Sequence, residues 1–431
     1  MTSRRSFLAT SSLALTGVVL DGKTPLSAQP SDQQDCKPLP PSITALASRA
    51  HEATPITIDE RRARLDRARA LMAQNHLDAI VVAGGTTLNY FTGMRWGNSE
   101  RLTAVVIPVR GEAFIVTPAF EEERTLEQAH SGPLGRGTSV LVWQEDENPY
   151  DRVARGLKTA GIATGTIGIE ETVKYAFADG IARANPAMHV ASATPVTAGC
   201  RMIKSAHELA LMKLANQVTL KVYEAVYHAL QPGMTQDDAG RLIGAAYQRM
   251  GFPGDATVQV GEYTALPHGS ATPQTIREGT IVMIDDGCTA EGYQSDITRT
   301  FVLGRATDRM KKVFDIEHAA QTAALKAARP GVEAQSVDAA ARKVISDGGF
   351  GPDYKFFSHR VGHGIGMDGH EWPYLVRGNT LKLQPNMTFS DEPGIYIKGE
   401  FGIRLEDDMH ITENGAELFT PQSPSLEHPF G

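Results

Sequence analysis

Two aspartates in one short stretch, Asp285 and Asp296, constrain this chain more than any other feature. Apolar and β-branched residues (Ile281, Val282, Ile284) lead into Asp285, and Ile297, Thr298, Thr300 and Phe301 follow Asp296. The segment between them is punctuated by Gly287 and Gly292, a hairpin signature. A turn centred on Ala290 and Glu291 predicts that the two aspartates lie opposite each other and point to one face. Like charges so placed destabilise a strand pair, so the arrangement needs a compensating cation. The stretch is read as half of a metal site.

Residues 386–411 repeat the device. Lys398-Gly399-Glu400 makes a turn, and Gly399 is equidistant from Glu392 and Glu406. These glutamates are therefore expected as cross-strand partners on one face, unless a bulge at Gly399 shifts the register. Four converging carboxylates repel one another, whereas a pair of divalent cations neutralises them. The Gly/His-rich loop 359–373 supplies His359, His363 and His370, and the glycines flanking His363 allow close backbone approach. Upstream of the first hairpin, Ala265-Leu266-Pro267-His268-Gly269 puts another histidine on a tight loop. Four carboxylates and one imidazole form a mainly hard oxygen set, which suits Mn(II), with Zn(II), Co(II) or Fe(II) as other occupants. Two ions about 3.5–4 Å apart can bind a bridging hydroxide and polarise a carbonyl. A single strand Asp is ordinarily a solvated side chain, and a single loop His ordinarily a hydrogen-bonder; the combination carries the argument. Asp286, Asp407 and Asp408 are left as supporting or exposed acids.

At 431 residues the chain exceeds the usual single-domain range, so two domains are expected. A net charge of −8 without a Lys/Arg run argues against a nucleic-acid surface. Ser3-Arg4-Arg5-Ser6-Phe7-Leu8 is a twin-arginine pattern, and the apolar run 7–20 after it is too short to span a bilayer. Residues 1–28 are read as a signal peptide cut near Ala28, with a disordered basic tail as the alternative. The reading implies export to the periplasm or beyond. Cys36, Cys200 and Cys288 make no disulfide framework, and Cys288 reads as a packed residue rather than a nucleophile.

Residues 29–54, rich in Pro, Ser, Gln and Asp, read as a linker or loosely packed arm. A helix follows over 59–76. Strand-like runs at 79–83, 103–108, 113–117, 140–143 and 166–170 alternate with helical segments at 120–130, 150–160 and 173–184, which indicates an α/β domain. Its expected job is shape: an oligomer contact and a wall over the site. A boundary falls at 195–204. Ser205 with Glu208 forms a capping box ahead of a long helix, and a second helix begins at Thr235. After the first hairpin the order recurs: helices over 307–328 and 336–347, then the second strand pair. Two α-α-β-β units packed face to face around one shared core are expected, an α+β domain.

With these residues in place, the chain from about Met202 onward resembles the pita-bread metallopeptidases. That group includes Xaa-Pro dipeptidase (prolidase), aminopeptidase P, methionine aminopeptidase and the creatinase branch. The matching pieces are ALPHG at 265–269, IDDG and SDITRTF within 284–301, GHGIGMDGHEWP at 362–373, EPGIY at 392–396 and GIRLEDD at 402–408. Residues 55–197 look like the creatinase-type N-terminal domain of the Xaa-Pro branch, with Asn89-Tyr90-Phe91-Thr92-Gly93 as its signature, and 198–431 like the catalytic domain. The resemblance implies a curved antiparallel sheet between two pseudo-symmetric halves. It makes Asp285, Asp296, His363, Glu392 and Glu406 the ligands of two metal ions, bridged by Asp296 and Glu406. It implies that Glu392 is also the general base, that His370 binds substrate or stabilises the tetrahedral intermediate, and that His268 lines the substrate pocket. Arg404 would support the site or substrate, and Tyr396 would stand beside it. A homodimer through the N-terminal domain is implied, with Trp96 reaching toward the partner's site. One departure concerns pocket shape: Gly261-Glu262-Tyr263-Thr264 stands where Xaa-Pro enzymes often carry a Gly-Pro-Asn-like run.

The expected activity is hydrolysis of the bond between an N-terminal residue and proline, in dipeptides or longer peptides. A metal-free, creatinase-like C–N hydrolase and a non-catalytic peptide-binding module are the alternatives. Both are expected to lose ligands, and all five stand here. Organophosphate hydrolysis is a further side activity of some prolidases.

Overall fold

The computed structural model describes residues 38–431. The expected signal segment 1–28, the stretch 29–37 and Cys36 lie outside the described residues. Among those described, no helix is long and apolar enough to cross a membrane.

The expected arm is packed in part. The short helix Pro41–Thr44 buries Ile43 completely against the helices Ala206–Tyr227 and Gln236–Met250, with Leu46 beside it. Two apolar side chains in an otherwise polar stretch suffice to dock it.

The N-terminal lobe is a six-stranded mixed sheet in the order Ser139–Trp143, Phe114–Pro118, Ala104–Pro108, Ala79–Ala83, Gly165–Ile169, Met188–Ser192. Its central strands bury every residue, so both faces need cover. Ile80 and Val82 face one apolar cluster, and Ala79 and Val81 another. The helix Ile58–Gln74 starts at a full capping box, Thr57 with Glu60. Three elements were not anticipated. Met188–Ser192 is an edge strand in which Met188 is buried, and the polar His189 and Ser192 are exposed. Thr194–Arg201 is a helix where a boundary was expected. Thr86–Thr92, a β-branched and aromatic run, is helical because its burial overrides propensity. Gly93, left-handed at φ 79°, ends it.

The C-terminal lobe has the expected order. Helices Ala206–Tyr227 and Gln236–Met250, both with capping boxes, precede a three-stranded sheet of Thr257–Val260, Ile281–Asp285 and Arg299–Val302. Helices Asp308–Ala327 and Ala334–Ile345 precede a five-stranded sheet containing Gly362–Gly364, Thr388–Asp391 and Asp407–Ile411. The single shared core is corrected. The helix pairs pack in two clusters, around Val222, Ile243 and Ile284 in the first half and Val337, Phe389 and Ile403 in the second, and Ile281 and Val302 of the first half's strands join the second cluster.

The first hairpin's register also differs from expectation. Its ladder matches Ile284 with Arg299 and Ala290 with Tyr293, so Asp285 faces Thr298 rather than Asp296. The turn falls on Glu291 and Gly292, both with positive φ (49° and 91°), as a two-residue hairpin turn requires. Ala290, fully buried, stays in its strand. The shift is two residues along the partner strand, so Asp285 and Asp296 keep the same face as diagonal neighbours. The second hairpin has the expected register. Ladders Asp391–Asp407 and Gly394–Arg404 flank the glutamates in one alignment, which sets Glu392 opposite Glu406. Gly399, at φ 82°, turns the chain without shifting it.

Candidate metal centre

The carboxylates and the loop histidine meet at one wall of a cavity of about 740 Å³. Donor atoms fall into overlapping trios, each within 4.8 Å: Asp285, Asp296 and Glu406; His363, Glu392 and Glu406; and Asp296, His363 and His370. Asp296 and Glu406 each belong to two trios. Asp285, Asp296, His268, His363, His370, Glu392, Arg404 and Glu406 all line the cavity.

The donor set fits divalent cations on the structure's own terms. Glu406 is buried, and its Oε1 has no hydrogen-bond partner. His363 Nδ1 lies 3.1 Å from the Gly364 carbonyl; with its proton there, Nε2 presents a lone pair 3.1 Å from Glu392 Oε1 and 3.8 Å from Asp296 Oδ2. Two acceptors at that distance need a proton or a cation between them. Two donors that each bind one ion at about 2.0–2.2 Å sit about this far apart. Burial and then the neighbouring carboxylates drive Asp296 and Glu406 well above the usual carboxylate range. Burial, the largest single influence, pushes Glu392 the same way, but a proton shared with His363 and the positive charges of His363, His359 and Arg404 together outweigh it and bring Glu392 down to about 2. This constellation carries excess negative charge that a cation relieves.

Side chains that sequence reasoning passed over hold the donors. Thr298 Oγ1 lies 2.7 Å from Asp285 Oδ1 and 2.6 Å from Glu406 Oε2. Ser390 Oγ accepts the His363 N–H at 3.0 Å and lies 3.1 Å from Glu392 Oε1. Asp408, buried, accepts the Asp296 N–H and the Asn216 amide, both at 2.9 Å. Asp407, also buried, takes the Arg299 guanidinium at 2.6 Å, and Arg299 donates to the Glu406 carbonyl at 2.8 Å. Asp407 and Asp408 are therefore supports, not exposed acids. The signal for them was the acid doublet after Glu406; the threonine, serine and asparagine gave none.

Arg404 is buried and pairs with Asp285, donates to Thr298 Oγ1 at 3.0 Å and reaches the Pro267 carbonyl at 3.0 Å, which ties the His268 loop to the site. Tyr396, expected near Arg404 and as a substrate contact, stands beside Arg404 and is not among the residues that line the cavity. Its hydroxyl is held at 3.0 Å by Arg404 and 2.7 Å from His359 Nε2, which screens it. His370, exposed, stacks on His363 with ring centres 3.7 Å apart. Partial burial of its ring, and then the neighbouring His363, lower its pKa to about 4, so it is neutral near pH 7.

The chain also matches known families and proteins along most of its length. Residues 210–413 match the model for metallopeptidase family M24, and residues 64–203 that for the creatinase/prolidase N-terminal domain. A probable dipeptidase PepE of Mycobacterium tuberculosis is 37% identical over 82% of this chain and 92% of its own length. An Xaa-Pro dipeptidase of Lactobacillus delbrueckii subsp. lactis is 32% identical over 84% and 98%. The crystal structure of dipeptidase PepE from Mycobacterium ulcerans matches with a TM-score of 0.80 at 35% identity, covering 87% of this chain and 99% of that one. The prolidase from Thermococcus sibiricus matches with a TM-score of 0.76 at 29% identity, covering 85% and 98%. A mixed N-terminal sheet, a paired-hairpin catalytic lobe and these matches make this chain a member of metallopeptidase family M24 with a creatinase/prolidase N-terminal domain.

Proposed function

We propose that the chain is a dinuclear-metal peptidase that cleaves the bond before proline at the second position of a peptide. The observation that carries the reading is the pair of overlapping donor trios sharing Glu406, on a cavity that His268 and His370 also line. Asp285, Asp296, His363, Glu392 and Glu406 would hold the ions, with Mn(II) the best match to a mainly oxygen donor set. When bound, two divalent cations supply Lewis-acid polarisation of the scissile carbonyl and a water acidified toward neutrality. Glu392 accepts the proton of the attacking water and passes it to the leaving proline nitrogen. His370, neutral and on the open side, donates a hydrogen bond to the oxyanion. Arg404 fixes Asp285 from behind, and His268 shapes the wall where the proline ring rests.

Arg360 supports a preference for dipeptides. It lines the cavity with its guanidinium 4.1 Å from the Tyr374 ring centre, where a planar cation can receive a substrate carboxylate. The metal-free creatinase-like reading finds no support, since a complete donor set stands. The test is hydrolysis of Ala-Pro against Ala-Pro-Ala by Mn-loaded protein. The expected result is cleavage of Ala-Pro; cleavage of the tripeptide would reassign it as an aminopeptidase P, and cleavage of neither would end the Xaa-Pro reading. Asp296→Ala and Glu406→Ala should each abolish turnover and lower bound metal. The proposal extends to export through residues 1–28 and to a homodimer through the N-terminal lobe near Trp96, checked by cell fractionation and by sedimentation.

A further inference from the structure

We infer that Arg201, with Lys204 and Thr86, is a positioning device that sets His370 over the metal centre from the N-terminal lobe. The inference rests on the catalytic reading of His370 above. His370 closes the turn 365–370, which joins the strand Gly362–Gly364, bearing His363, to the strand Glu371–Leu375. Both ends of the histidine's immediate backbone are fixed by ion pairs from outside the catalytic strands. Two residues before it, Asp368 binds Arg201 Nη2 at 2.5 Å and Thr86 Oγ1 at 2.5 Å. One residue after it, Glu371 takes the same Arg201 guanidinium and Lys204 Nζ, the latter at 2.5 Å. Arg201 also donates to Thr87 at 3.1 Å.

The two pairs on Glu371 are buried on both sides, whereas Asp368 is 36% exposed. Arg201, Lys204 and Glu371 are buried, at 7%, 3% and 7% exposure, and charges so placed lose much when one partner is removed. The turn is moulded on them. A Cβ at Gly366 would come within 2.5 Å of Glu371 Oε1 and 2.9 Å of Lys204 Nζ, so a side chain there would displace the pair. Ile365 and Met367 of the same turn pack into the apolar cluster of the N-terminal lobe. His370 itself touches no residue of that lobe in these pairs; the lobe acts on it through the backbone on either side. That gives the helix Thr86–Thr92 and the end of the helix Thr194–Arg201 a part in the reaction beyond forming a wall.

A double-mutant cycle on the full-length, Mn-loaded protein with Ala-Pro as substrate tests this. Arg201→Met is expected to lower kcat by about 10–100-fold, the scale of a small misplacement of a catalytic group, with KM and bound metal little changed. In the His370→Ala background the same substitution should then cost almost nothing, because there is no imidazole left to misplace. Arg201→Lys, which keeps one ion pair, should recover part of the loss. Equal fold-losses in both backgrounds, or a kcat loss that follows loss of metal, would overturn the inference while leaving His370 catalytic. If His370→Ala alone keeps wild-type kcat, the catalytic reading falls and takes the inference with it. Should Arg201→Met fail to fold, Thr86→Val, which removes only the hydroxyl on Asp368, enters the cycle with the same expected non-additivity.

Discussion

At the scale of single residues, the site is held in part by hydroxyl groups that carry no charge of their own. Thr298 stands between Asp285 and Glu406 and also accepts from Arg404. Removing its hydroxyl as Thr298→Val keeps volume and strand preference, and is expected to weaken metal affinity about 10–100-fold, as loss of an outer partner does; calorimetric titration of the metal-free protein measures it. The proposed ligands were legible because acids and a glycine-flanked histidine are anomalous in strands and tight loops. Thr298 and Ser390 were not, since hydroxyl residues are ordinary in strands and only the folded partners reveal them. Cys200 and Cys288 are buried, and burial pushes their thiols up to about 12 and about 11. A raised thiol pKa leaves less thiolate at a given pH, so iodoacetamide at pH 8 should modify neither in the folded protein. Peptide mass spectrometry before and after denaturation reads this.

At the scale of elements, turn chemistry decided what the alternating pattern could not. Apolar spacing located both hairpins, but register depends on which residues tolerate positive φ. Gly399 gave the second register directly, whereas the first turn uses Glu291 in a conformation that nothing about glutamate announces. The error preserved side-chain parity, and the site survived it. Close packing offers a test here. A Cβ at Gly402 would lie 2.2 Å from the Thr264 carbonyl, and the Gly402 N–H donates to Thr264 Oγ1 at 2.8 Å. Gly402→Ala should therefore cost about 1–3 kcal/mol by overpacking and move the His268 loop, seen as a lower melting temperature with a raised KM. Ser205→Ala, which removes one capping hydroxyl far from the cavity, should cost about 1 kcal/mol with KM unchanged.

At the scale of the whole molecule, the lobes differ in how much the sequence disclosed. The catalytic lobe was recognisable because its chemistry demands unusual residues at fixed places. The N-terminal lobe gave its strands by apolar runs, but hid Thr86–Thr92 and Met188–Ser192, whose states depend on burial and on an edge position. The ion pairs that join Arg201 to Asp368 and Glu371 cross far-separated parts of the chain, and spacing cannot reveal them. The central claim is that the diagonal Asp285–Asp296 pair and the facing Glu392–Glu406 pair are one two-metal hydrolytic centre. It is tested by Ala-Pro turnover against Mn(II) added to chelator-stripped protein, with bound metal counted in each sample. The account predicts no turnover without metal and a rise that saturates at two bound ions per chain; full turnover in the stripped protein, or none at any loading, would contradict it.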